Sequence, residues 1–159
     1  MFAENVMTTS ESQLDVMLNV NLKSAINVTQ IVAEGMIQEG IAGSIVNVSS
    51  AGSKMAAPVA FAYLLSKSGM DHTTRMFAVE LGKHKIRVNA VLPGLMLTDM
   101  GKGFYDTPEK VQAMANTMPI GKVGEVEDVT NAVLYLLSDK SNFITGETLL
   151  VEGGLIAAK

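Results

Sequence analysis

At 159 residues the chain has the length of one domain and can bury a core of its own. Its 12 Lys and Arg against 16 Asp and Glu give a net charge of −4 with no basic run, which argues against nucleic acid or an anionic membrane as partner. It has no cysteine, which excludes a disulfide framework and a thiolate metal site.

Ser10-Glu11-Ser12-Gln13 reads as a capping box opening a helix, with Ser10 as N-cap and Gln13 at the third helical position. Leu14, Leu18, Leu22 and Ile26 then recur every four residues, which predicts one long amphipathic helix over 12–38 that ends near Gly40. Residues 44–49 read as a buried strand, followed by a loop containing Gly52 and Pro58. A second long helix is expected over 60–81, stopped by Gly82. Residues 86–92 form the next strand, ended by Pro93-Gly94. Residues 95–121 are irregular or short helical, with Gly101, Gly103, Pro108 and Pro119 as breakers. A third long helix covers 126–137, and 147–151 makes a last short strand before Gly153-Gly154. Strands alternating with helices of this length imply right-handed crossovers and a parallel sheet, hence an α/β fold.

The hydrophobic content of 48% with only 5% aromatics predicts an aliphatic core rich in the 11 methionines. Met96, Met100, Met114 and Met118 cluster; flexible core filling is their default reading, and an adaptable pocket wall the sharper one. Neither His72 nor His84 has a carboxylate or second histidine at ligand spacing, so both read as solvated surface and no metal is expected. The N-terminus shows no basic region followed by an apolar stretch, and no run reaches the length of a membrane span. A soluble, cytoplasmic protein is expected.

The chemistry is carried by Tyr63 and Lys67, which at i and i+4 share one helix face. A phenol titrates near ~10, so at pH 7 only about one molecule in a thousand is ionised. A unit positive charge about 4 Å away, at an effective dielectric of about 20, stabilises a phenolate by about 4 kcal/mol. That moves a phenol toward the range where a general acid or base works best. Tyr-x-x-x-Lys alone is most often a surface pair. Here Ser50 stands 13 residues upstream, at the carboxyl end of a strand, where a hydroxyl could orient a carbonyl oxygen. Asn21 lies 29 residues before Ser50. The chemistry suggested is proton transfer to or from a carbonyl or alcohol oxygen, coupled to hydride transfer. Leu64, Leu65, Leu95 and Met96 suggest an apolar approach.

In this order, Asn21 in Val20-Asn21-Leu22, Ser50 in Asn47-Val48-Ser49-Ser50, and Tyr63-x-x-x-Lys67 resemble the short-chain dehydrogenase/reductase family. Ile86-Arg87-Val88-Asn89-Ala90-Val91-x-Pro93-Gly94, Thr98, Thr145-Gly146 and Val151-x-Gly153-Gly154 continue the likeness over almost the whole chain. Within the family it looks most like dicarbonyl/L-xylulose reductases. The resemblance implies NAD(P)H-dependent reduction of a dicarbonyl or ketose, with Tyr63 as proton donor and Ser50 bonding the substrate oxygen. Lys67 would serve Tyr63 and grip the nicotinamide ribose, and Asn21 would hold a water linking Lys67 to solvent. Pro93, Gly94 and Thr98 would pin the nicotinamide carboxamide, and 95–121 would form a flap. It also implies a homo-oligomer, a dimer of dimers, packed through helices 12–38 and 60–81.

One part of the pattern is missing. The first glycine is Gly35, inside a predicted helix, and no glycine-rich turn follows a strand. The expectation is therefore a single incomplete Rossmann-like domain over 1–159, the last three strands of a doubly wound parallel sheet with their helices. The resemblance favours NADP over NAD, while the residue that would select between them lies in the absent half. Strand 44–49 would show an open edge. The alternative to an active reductase is a catalytically inactive, truncated isoform that associates with full-length subunits.

Overall fold

Strands β1 (Gly43–Val48), β2 (Ile86–Pro93) and β3 (Thr148–Val151) form one parallel sheet in the order β1-β2-β3. The computed structural model describes residues 4–101 and 105–158; Gly103, one of the predicted breakers, lies with its part of the expected flap outside the described residues. Gly43 stands opposite Ile86 and Val48 opposite Val91, while Ala90 stands opposite Thr148. From Ile86 to Leu92 every residue except Arg87 is buried, as befits a central parallel strand covered on both faces.

Side-chain alternation along the strands sorts the two faces. Ile86 and Val88 join Ala33, Ala78 and Leu81 in the core, with Met36, Ile45 and Phe77 packed against it. Ala33 and Met36 come from helix α2 (Ser24–Gln38), Phe77, Ala78 and Leu81 from α3 (Phe61–Leu81), and Ile45 from β1. Arg87 points to the other face, toward α5 (Val126–Leu137). Its guanidinium donates to the Leu136 and Ser138 carbonyls at 2.8 and 3.1 Å, supplying a cation where the end of α5 leaves carbonyls unpaired. Buried Asn89 ties β2 to the segment before β3: its amide donates to the Ile144 carbonyl at 3.0 Å and its oxygen accepts the Glu147 N–H at 3.0 Å.

The first helix departs from expectation. The capping box at Ser10 is present, with the Ser10 N–H donating to Gln13 at 2.9 Å. In place of one helix over 12–38, however, α1 (Glu11–Met17) and α2 are joined by a π-helical turn, Leu18–Lys23. A stripe repeating every four residues drifts by about 40° per step on an ideal α-helix. A wider turn absorbs that surplus. Gly69 on α3 makes room for it, since a Cβ there would sit 2.8 Å from a Leu22 methyl. Pro108 is also not a breaker; it occupies the first turn of α4 (Pro108–Ala115), where no N–H is needed, behind the Thr107 cap.

The outer surfaces of α2 and α3 are apolar in places, with Ile31 70% and Val79 85% exposed. β1 has no strand on its second edge among the described residues. No described helix is long and apolar enough to cross a membrane.

Removing the buried Asn89 side chain strands the part-buried Glu147 N–H and Ile144 carbonyl. Asn89→Ala is expected to lower stability by about 2–4 kcal/mol in urea unfolding. An unchanged midpoint would show that this crosslink does not hold β3 in place.

Candidate active site

The parallel register delivers the carboxyl ends of β1 and β2 to the same edge of the sheet. Ser49-Ser50 leaves one strand and Pro93-Gly94 ends the other, and α3 begins beside them. Together they wall a cavity of about 610 Å³. The structure brings all seven residues singled out from the sequence to it: Asn21, Ser50, Tyr63, Lys67, Pro93, Gly94 and Thr98. Leu64, Leu95 and Met96 line it as well, whereas Leu65, turned about 100° further round the helix, is 42% exposed and does not. Met96 and Met100 are wall residues, while Met118 is buried at 4% exposure.

Ser50, two residues past the end of β1, is in extended conformation and its hydroxyl accepts the Gly52 N–H at 3.1 Å, opening a short turn over Ala51–Lys54. Ala60, which precedes α3, adopts φ 61°, the left-handed region that costs a residue with a Cβ about 1–2 kcal/mol. That turn brings the first residues of α3, Tyr63 among them, to the cavity. The Lys67 ammonium stands 5.8 Å from the centre of the Tyr63 ring and donates to the Val48 carbonyl at 2.9 Å. It therefore lies over the ring and is tied to the strand. Burial holds the Lys67 amine below the ordinary lysine range, opposed in part by the Asp71 carboxylate.

Asn21 sits in the π turn, and its amide donates to Ser66 of α3 at 3.0 Å. Ser66 is fully buried and donates in turn to the Tyr63 carbonyl at 2.7 Å. Sequence reasoning passed over Ser66, although it stands one residue before Lys67. It also passed over Tyr105, the second phenol lining the cavity. The Tyr105 hydroxyl donates to the Met96 carbonyl, and burial pushes its phenol up, so it serves as a wall. Among the described residues no group of three or more His, Asp and Glu could hold a metal ion.

A family model described as enoyl-(acyl carrier protein) reductase matches residues 2–156. The chain belongs to the short-chain dehydrogenase/reductase family. It is 48% identical over 143 residues to L-xylulose reductase of Mus musculus, covering 90% of this chain and 59% of that protein. It is 43% identical over 152 residues to carbonyl reductase [NADPH] 2 of Sus scrofa, covering 96% of this chain and 62% of that one. The solved structure of 4-hydroxyisoleucine dehydrogenase complexed with NADH matches with a TM-score of 0.92 at 30% identity, covering 98% of this chain and 64% of that one. The fold is thus Rossmann-type, and the chain spans less than two thirds of these relatives.

The lowered Lys67 value sets a pH dependence. Between its folded value and 10.5 the unfolded chain carries a proton that the folded chain lacks, so stability rises with pH in that window. At lower pH the buried charge is a cost. Lys67→Met is expected to stabilise the chain at neutral pH, and that advantage is expected to shrink as pH rises toward 10.5, read by urea unfolding across the range. A difference that does not change with pH would contradict the burial account.

Proposed function

We propose that this chain carries the catalytic half of an NADPH-dependent carbonyl reductase of the short-chain family. The observation supporting this most directly is that Ser50, Tyr63 and Lys67 wall one cavity at the strand ends. The residues fit the nicotinamide end of a dinucleotide: Lys67 and Tyr63 from α3, with Pro93, Gly94 and Thr98 from the end of β2 and the segment after it. A glycine-rich turn for the pyrophosphate is not encoded in these 159 residues. NADP is favoured over NAD by the name of the porcine relative.

When bound, the dinucleotide supplies the hydride. The Tyr63 hydroxyl gives its proton to the substrate carbonyl oxygen as that oxygen becomes an alcohol. Ser50 donates to the same oxygen, orienting it and stabilising the charge that builds there. Lys67, held by the Val48 carbonyl, places a positive charge over the Tyr63 ring. The Asn21 amide nitrogen is committed to Ser66, so the water contact implied by the family falls to its oxygen or to the widened main chain of the π turn.

The remaining wall favours a dicarbonyl over a ketose. Val59, Leu64, Met96, Met100 and Val129 offer no partner for sugar hydroxyls, and each hydroxyl buried without one costs about 1–3 kcal/mol.

A second reading is a catalytically inactive chain that associates with full-length subunits. The exposed apolar residues of α2 and α3, such as Ile31 and Val79, favour it. Failure to co-purify with a co-expressed full-length relative would remove that reading.

The reductase reading is tested with purified chain, NADPH and either hexane-2,3-dione or xylulose, following nicotinamide absorbance beside the full-length murine relative. Turnover of the dione at least about tenfold faster than xylulose is expected. No turnover where the relative is active refutes autonomous activity. Tyr63→Phe should cut the rate by at least about a hundredfold while leaving NADPH affinity within about twofold, because only a hydroxyl is removed.

A further inference from the structure

Asp71 lies one helical turn beyond Lys67 and two beyond Tyr63, on the same stripe of α3. Its side chain is only 4% exposed, and both carboxylate oxygens are engaged. Oδ1 accepts from the Ser49 hydroxyl at 2.5 Å, and Oδ2 accepts from the Ser53 hydroxyl at 2.6 Å. Lys54 Nζ stands 3.0 Å from Oδ2 and also reaches Thr148 on β3 at 3.2 Å. A second strap comes from Ser68, which donates to the Ser53 carbonyl at 3.1 Å.

A carboxylate withdrawn from water must be matched by donors or a cation. Here all three partners come from the stretch 49–54, on both sides of Ser50. The placement is specific. We propose that Asp71 is a positioning residue: its carboxylate pins the turn on either side of Ser50 to α3, so that the Ser50 hydroxyl is presented to the cavity that Tyr63 lines. This rests on reading Ser50 and Tyr63 as the pair that meets the substrate oxygen. The same carboxylate is the anion beside Lys67. Facing Lys67 are Tyr63 and Asp71 from its own helix, the Val48 carbonyl from β1 and the uncharged Asn21 on the cavity wall, with Lys54 beyond Asp71. The Asp71 charge opposes the fall that burial imposes on the Lys67 amine.

Two measurements on the purified chain, neither requiring turnover, test the assignment in Asp71→Asn and Ser53→Ala. The first is amide hydrogen exchange over 50–55, where the Ser53 and Met55 N–H groups are bonded to the Ser50 and Gly52 carbonyls. Asp71→Asn is expected to speed exchange there about tenfold, and Ser53→Ala by a smaller factor, with β2 and α5 unchanged. The second is competitive acetylation of Lys67 against exposed Lys140 at pH 8. Its ratio should rise at least about twofold in Asp71→Asn but not in Ser53→Ala, because only the first removes a charge. Parent-like exchange at 50–55, protection lost throughout the sheet, or an unchanged Lys67 ratio in Asp71→Asn overturns the assignment. If Asp71→Asn does not fold, exchange in Ser53→Ala decides alone. An inactive parent in the reductase assay would sink the functional reading and leave these two results standing.

Discussion

Parallel pairing of β1 with β2 is the constraint from which the rest follows. Because Val48 stands opposite Val91 in a parallel pair, both strands leave the sheet at the same end. The loop after one strand therefore meets the loop after the other, and the connecting helix must return across a single face. The central strand enforces the register from both sides: Ile86 and Val88 are locked into the α2–α3 core, while Arg87 and Asn89 are bonded into the α5 side. A slip by one residue would exchange these two sets and bury a guanidinium among aliphatic side chains.

Helix α3 then buries both apolar and polar side chains. Toward its C-terminus Ala78 and Leu81 are core residues, and their small or aliphatic side chains seat the helix on β2. In its first half Ser66, and at its midpoint Asp71, are buried polar groups, each matched by a partner on another segment. No buried side-chain nitrogen or oxygen among the described residues is left without a hydrogen bond. That completeness matters because a polar group in a low-dielectric interior stabilises a fold only when its bonds are made.

Much of this frame is legible in the sequence. Apolar runs bounded by glycine and proline placed the three strands to within about a residue, and the Gly82 stop and Ser10 cap marked helix ends because backbone chemistry there is local. What escaped was non-local. The π turn at Leu18–Lys23 depends on Leu22 nesting over Gly69, which lies 47 residues away; the four-residue period of Leu14, Leu18, Leu22 and Ile26 is its one local trace. Asp71 could have been picked out as the next step of four after Tyr63 and Lys67. Its meaning, however, depends on a loop 18–22 residues upstream that only the folded chain brings against it. Pro108 starts a helix where a breaker is expected, because the same residue that ends one helix can begin another.

The bond from Lys67 to the Val48 carbonyl has a consequence beyond fixing one side chain. A long aliphatic amine normally samples many rotamers, so its field at any one atom is an average that solvent must help to arrange. Anchored to a peptide group within the sheet, the ammonium acts as a stationary electrode, and charge appearing nearby during a reaction finds the surroundings already oriented.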